Sequence, residues 1–289
     1  MDIKDFRLIA TLHENARQSY LSLGRHISLS SPAARERLRG LERRGILNGF
    51  WFSIDPGIFQ RDDLLVFFRG EWTCKEALRA LAAPEVAWVA WKMNGWLTVQ
   101  LWPRDPRQAL TALTHALETW AFGKTLGDRR HHHKHLATID WQIMDALIDD
   151  PRLPFKQLCQ STGLSPKTVR KHLEMLMNEE IISILPRLGP LADSGDLVYH
   201  LVVFGSVSVS DLYVLMGSDD TILLNTTQNP PVRYMLCRSS SLSDVTRKTR
   251  SVSRLSRVKS VVVDLNREIF VNTSFMHSLV RENIPYNNG

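Results

Sequence analysis

DFRLIATLHENARQSYLSLGRHISLSSPAARERLRGLERRGIL, residues 5–47, and DWQIMDALIDDPRLPFKQLCQSTGLSPKTVRKHLEMLMNEEII, residues 140–182, align without a gap at an offset of 135 positions. The alignment pairs Asp5 with Asp140, Leu12 with Leu147, Arg17 with Arg152, Leu23 with Leu158 and Leu29-Ser30 with Leu164-Ser165. It continues through Arg35 with Arg170, Leu38 with Leu173, Leu41 with Leu176 and Ile46 with Ile181. Matches at apolar and turn positions mark a small structural unit present twice, so the chain is read as a tandem array.

Each copy reads as three short helices. Ile3, Phe6, Ile9 and Leu12 recur at helical spacing, a polar break follows at His13–Arg17, and Tyr20–Ile27 carries a second apolar period. Ser28-Leu29-Ser30 is a turn able to cap a third helix, which holds Pro32 in its first turn and buries Ala34, Leu38 and Leu41. Gly45 ends that helix, and ILNGFWFSI, residues 46–54, alternates as a small hairpin or wing closed by Asp55-Pro56-Gly57. Copy two repeats the design, with Gly163-Leu164-Ser165 as the turn before a helix carrying Val169, Leu173 and Leu176. Three helices and a wing make a winged helix-turn-helix, a pattern that favours DNA binding over a plain three-helix interaction module.

The bulk numbers agree. A chain of 289 residues accommodates two units of ordinary size, and a net charge of +6 suits an acidic partner such as double-stranded DNA. Cys74, Cys159 and Cys237 are odd in number and lack metal-site or redox spacing, as expected of reduced thiols. No apolar run approaches the roughly 20 residues that span a bilayer, so a soluble, unsecreted, cytoplasmic protein with no membrane partner is expected.

Between the helical copies the pattern turns to strands. Residues 64–69, 85–93 and 96–102 read as strands, with a tight turn at Asn94-Gly95 and helices over 74–82 and 106–120. That order is a ferredoxin-like unit lacking only its final strand. The tail half echoes it with strands over 197–207, 221–227, 232–237 and 258–271 and helices over 210–217 and 242–254. The expected fold is α+β. Two winged helix-turn-helix modules, 1–56 and 136–186, alternate with two βαββαβ domains, 62–130 and 195–272, before a C-terminal tail, 273–289.

The residues resemble the Lrp/AsnC (feast/famine) family of transcription regulators over nearly the whole chain. The likeness rests on Asp5, Arg17, Leu29-Ser30, Arg37, Leu41-Glu42, Gly45-Ile46 and Asp55-Pro56, with Asp140, Arg152, Leu164-Ser165 and Leu176 in copy two. The strand order looks like the family's ligand-binding and dimerisation (RAM) domain. Copy two departs at His172, where the family pattern has an Arg, and at Glu180, where it has Gly. Asn94-Gly95-Trp96-Leu97 and Asn229-Pro230-Pro231 lack the acidic residue usual near the family's second hairpin. The resemblance implies sequence-specific DNA binding, RAM–RAM pairing inside the chain, self-association into longer arrays and a small effector at the sheet interface. It implies no cofactor.

With Ala34, Leu38 and Leu41 inward, the third helix turns Arg35, Arg37, Arg39, Arg43 and Arg44 outward against Glu36 and Glu42. Arginine suits this surface because its planar fork pairs with guanine edges or phosphate oxygens. Docking geometry assigns base reading to Ser31–Arg35 and phosphate contact to Arg39 and Arg43, with Arg37 in the same surface. The second helix offers a weaker set, Ser165, Lys167, Thr168, Arg170 and Lys171, so the two modules read unequal half-sites of an asymmetric operator. A solvated basic face is the plain alternative.

Other features carry less. RRHHHKH, residues 129–135, reads as a basic linker or final strand rather than a metal site. In the strand 96–102, Leu97, Val99 and Leu101 face the helices, while Trp96, Thr98, Gln100 and Trp102 lie on a face that the second sheet should cover. An aromatic ligand box or RNA-stacking platform is the alternative for that face. The basic run 247–259 reads as a solvated helix face. No catalytic motif stands out, and no catalytic residue is assigned. Sirohaem decarboxylases resemble the same architecture and are the runner-up, although the matching stretch offers only Lys92 as an ionisable group. A protein-assembly scaffold derived from the modules is the third reading.

Overall fold

A computed structural model describes residues 1–127, 135–189 and 196–284. The first module is α1 (Ile3–Glu14), α2 (Tyr20–His26), α3 (Ser31–Arg43) and β1 (Leu47–Ile54). Asp2 caps α1 by accepting from the Asp5 backbone N–H at 2.9 Å, and the Asp5 carboxylate accepts from the Asp2 N–H at 3.3 Å. Ser30 caps α3, which has Pro32 in its first turn, and Ala34, Leu38 and Leu41 are its buried stripe.

β2 (Leu64–Phe68), α4 (Cys74–Leu81), β3 (Val86–Lys92), β4 (Leu97–Leu101), α5 (Pro106–Leu117) and β5 (Gly123–Leu126) follow. The second module is α6 (Thr138–Ile148), α7 (Phe155–Thr162), α8 (Pro166–Asn178) and β6 (Ile182–Leu188). The chain continues through β7 (Leu197–Gly205), α9 (Val209–Met216), β8 (Thr221–Gln228), β9 (Pro231–Ser239), α10 (Leu242–Ser253), β10 (Val258–Asp264), β11 (Asn266–Val271) and α11 (Thr273–Arg281).

The wing differs from a hairpin within each module. β1 pairs antiparallel with β6, setting Trp51 against Leu185, Phe52 against Ile184 and Ile54 against Ile182. Each module supplies one strand, so a lone strand's backbone groups find partners only on the other copy. Phe52, Ile54, Ile182 and Ile184 are buried beneath this shared ribbon.

Each ferredoxin-like unit is a four-stranded sheet, in the orders β3-β4-β2-β5 and β10-β7-β9-β8, with two helices on one face. The final strand of the first unit is present as β5, ahead of the basic run in which a final strand was one option; residues 129–134 of that run lie outside the described residues. The expected single strand 258–271 is two. β10 stays with β7, whereas β11 crosses to pair with β3 and makes the first sheet five-stranded. The turn between them is held where Met93 N–H donates to Leu265 O at 2.7 Å and Lys92 meets Asp264 at 3.2 Å. The tail contains α11, whose Met276, Leu279 and Val280 are buried in the core shared with α6.

Packing crosses the order of the chain. The first module buries Phe6, Leu23 and Leu38 in one cluster with Val198 and Leu236 of the second sheet. The second module packs Met144, Leu147 and Leu176 with Ala87, Trp102 and α11, against the first sheet. The helix-free faces of the sheets meet where Phe67 contacts Phe204 and Tyr234, ring centroids 6.0 and 6.3 Å apart. Leu97, Val99 and Leu101 face α4 and α5 as expected. Of the opposite face, Thr98 and Gln100 line the space between the sheets. Trp102 is fully buried beside Phe59 and Phe275, and Trp96 sits at the surface against Phe122.

Candidate nucleic-acid interface

α3 and α8 share one feature on their outer surfaces. Arg35 and Arg170 are exposed and occupy repeat-equivalent positions. Each lies over an aromatic ring that begins the preceding helix: the Arg35 guanidinium is 5.8 Å from the Tyr20 ring centroid, and that of Arg170 is 5.4 Å from Phe155. A guanidinium resting on a ring keeps its N–H fork free while losing side-chain freedom, which suits a contact to a base edge or phosphate. Ser31 is half-buried near the start of α3, and Arg39 is exposed with no ion-pair partner among the described residues. Arg43 is exposed and paired with Glu36 at 2.5 Å. On α8, Lys167 and Lys171 are exposed, and the Ser165 hydroxyl caps the helix through the Thr168 N–H at 3.2 Å and meets the Thr168 hydroxyl at 2.9 Å.

Arg37 is placed differently from the sequence expectation. Its Nη1 donates to Asp2 at 2.8 Å and to Asp5 at 2.7 Å, and Arg44 holds the other Asp5 oxygen at 3.1 Å. Burial opposes the charge on Arg37, but the hydrogen bonds it donates to both aspartates, with their negative charge, outweigh that and raise its pKa. This is an internal brace between α1 and α3. The second module repeats it with different chemistry: His172 Nδ1 lies 2.7 Å from the Asp140 carboxylate. The departure from Arg at His172 therefore keeps the brace. Glu180 likewise keeps the backbone of its partner Gly45, with φ of +53° and +65° respectively.

The modules are tied to each other by the second pair of repeated arginines. Arg17 donates to the carbonyls of Pro151 and Leu153 at 2.7 and 2.8 Å, and the Arg152 guanidinium lies 4.7 Å from the Phe50 ring. With the shared ribbon, these contacts fix α3 relative to α8. Sequence reasoning missed both the aromatic seats and the cross-module arginines. The signal was present in the repeat, because Tyr20 aligns with Phe155 and Arg17 with Arg152.

A cavity of about 540 Å³ lies between the two sheets and the wing ribbon, within the size range of small-molecule sites. Thr98, Gln100 and Lys92 line it from the first sheet, His200, Tyr234 and Asp264 from the second, and Trp51 and Ser183 from the ribbon. His13, at the end of α1, also reaches it. Buried Lys92 pairs with Asp264, and His200 Nδ1 lies 3.3 Å from the same carboxylate. Burial opposes ionisation of Asp264, but the charges of Lys92 and His200 outweigh it and take the pKa down to about 2. Burial, with repulsion from His200, pushes the His13 imidazole down to about 4. Tyr234 is pushed well above the usual phenol range by burial. Among the described lining residues, Arg61 Nε, Trp88 Nε1, Gln100 Oε1 and Asn266 Oδ1 are buried without a hydrogen-bond partner, and His200 Nδ1 has only its 3.3 Å approach to Asp264. Thr98, Gln100 and Lys92 figured in the sequence reading, whereas His13, His200, Tyr234 and Asp264 lay outside it. The groups of the first sheet and those of the second lie 100 or more positions apart along the chain, and only the facing of the two sheets joins them. No group of three metal-ligating side chains occurs among the described residues.

Comparison with known proteins follows the same division. Residues 1–42 match the AsnC-type helix-turn-helix domain model, and residues 136–183 match a winged helix-turn-helix DNA-binding model. The uncharacterized HTH-type transcriptional regulator YezC of Bacillus subtilis is 40% identical over 54 residues, 19% of this chain and 39% of that protein. The HTH-type transcriptional regulator Ptr1 of Methanocaldococcus jannaschii is 36% identical over 56 residues, 19% of this chain and 38% of that protein. The matched stretch is thus about two-fifths of the length of those regulators. Over the full length, the siroheme decarboxylase NirDL has a similar fold, with a TM-score of 0.51 at 10% identity, covering 96% of this chain and 99% of that one. The chain is thus similar to an AsnC-type helix-turn-helix domain over residues 1–42 and to a winged helix-turn-helix module over residues 136–183, two such modules in one polypeptide.

Proposed function

We propose that this protein is a sequence-specific transcription regulator whose two unequal recognition helices read an asymmetric DNA site. The observation that carries the reading is the repeated seat of Arg35 on Tyr20 and Arg170 on Phe155, on two exposed helices held at a fixed separation. Ser31, Arg35, Arg39 and Arg43 are the contacts assigned to the first module, and Ser165, Lys167, Thr168, Arg170 and Lys171 to the second. Arg37 supports that surface from behind. In this reading the two RAM-like units, 62–130 and 195–272, pair within the chain in place of a dimer. The cavity between them receives a small ligand bearing both hydrogen-bond donors and acceptors. Because His13 and the wing ribbon line that cavity, ligand contacts there couple directly to both modules.

The test is selection of genomic fragments by the wild-type protein and by Arg35→Ala and Arg170→Ala. Loss of a different half of the selected site in each variant supports the reading, and unchanged selection in both refutes it. A second reading, tetrapyrrole chemistry like that of NirDL, is favoured by the inter-sheet cavity with its buried Arg61 and Lys92 and half-buried His200 and by the full-length fold similarity. Absorbance titration with sirohaem discriminates: a saturable spectral shift lost in His200→Ala supports it, and an unchanged spectrum rejects it.

A further inference from the structure

The segment from Asp244 to Lys259 holds six cations and one acid, a surplus of five in a chain whose total is +6. The acid is already committed. Asp244 pairs with Arg247 and, at 3.3 Å, with buried Lys248, which also donates to the Arg238 carbonyl at 3.3 Å. That leaves Arg250, Arg254, Arg257 and Lys259, all exposed and without a carboxylate partner among the described residues. Arg247, Arg250 and Arg254 follow at helical spacing along the outer face of α10, whose inner face buries Val245, Lys248 and Val252. Arg257 and Lys259 carry the stripe into β10, the edge of the second sheet.

Folding does not require this charge. Like charges at these spacings repel and weaken a helix. In the first ferredoxin-like unit, α5 occupies the equivalent place with Arg107 and His115 as its basic residues. The surplus therefore belongs to one half of the repeat and lies outside both helix-turn-helix modules.

We propose that the outer face of α10 and the start of β10 form a second, sequence-independent contact for duplex DNA, gripping the phosphate backbone beside the site read by α3 and α8. A row of arginines fits a polyanion with regularly spaced charges. The proposal rests on the DNA-binding reading and deepens it. It divides the work between modules that choose the sequence and a helix that adds affinity.

The test compares the wild type, the combined Arg250→Ser, Arg254→Ser, Arg257→Ser and Lys259→Ser variant, and a charge-preserving variant with lysine at the three arginine positions. Affinity is measured for a selected genomic fragment and for a random-sequence duplex over a range of salt. The serine variant should lose about 2 to 4 from the slope of log affinity against log salt, since each phosphate contact contributes about 0.9. Its preference for the selected fragment should stay unchanged, and the lysine variant should keep the wild-type slope. A serine variant with the wild-type slope, beside a wild type that still selects DNA, overturns this inference and leaves the regulator reading standing. A wild type that binds no duplex overturns both.

Discussion

Replacing Arg37 with Ala separates an internal brace from a DNA contact. Arg37 bonds to Asp2 and Asp5, and the Asp5 side chain is only 7% exposed. Truncation leaves Asp5 with Arg44 alone, at 3.1 Å. Hydrogen bonds between charged groups contribute about 1.5–3 kcal/mol where partly buried, and the exposed Asp2 arm adds little, so a loss of about 2 kcal/mol is expected. In a protein of this size that lowers the melting temperature by roughly 4–8 °C. Thermal unfolding followed by circular dichroism measures it, with Asp5→Asn and the double variant closing a cycle. The double variant should lose less than the sum of the singles, because the two residues share one interaction. His172→Ala should cost the second module a similar amount through Asp140. An Arg37→Ala protein with an unchanged melting temperature and weakened DNA binding refutes the brace and returns Arg37 to the recognition surface.

Three further outcomes follow from the core and the cavity. His13 has a folded pKa of about 4, below its ordinary 6.5, so the unfolded chain binds the extra proton first as pH falls. Stability should be complete above 6.5 and decline by about 1.4 kcal/mol per unit down to about 4. His13→Gln should flatten that limb and leave the decline below 3.8 caused by protonating Asp264, whose folded pKa is about 2. Superimposable pH profiles of denaturant midpoints would count against this. Phe52→Ala, removing a 1% exposed ring from the shared ribbon, should cost about 3–5 kcal/mol. Because Phe52 packs in the core of the second module, near-ultraviolet dichroism should report loosening there, and an unaffected second module would contradict the cross-pairing. Arg17→Ala should cost about 2–4 kcal/mol by leaving the Pro151 and Leu153 carbonyls without their donor, and limited proteolysis between the modules should accelerate.

The periodicities at short range were legible. Apolar spacing located the three helices of each module, and the Ser-Pro starts of α3 and α8 marked their N-termini. Alternation at Leu97, Val99 and Leu101 identified which strand face meets helices. The tail was not legible, because α11 takes its stability from burying Met276, Leu279 and Val280 against another module. Arg37 was read as an outward cation because its partners Asp2 and Asp5 lie over 30 positions away.

By itself, the sequence determined that one helical module occurs twice and that strands follow each copy, because turn chemistry and hydrophobic period act over a few residues. Tertiary structure decided who partners whom. Modules pack on the sheet unit of the opposite half, β1 joins β6, and β11 leaves its own sheet for β3. Those choices depend on burying complementary faces and pairing exposed strand edges, and residues from about 40 to more than 170 positions apart bear no local mark of such a meeting.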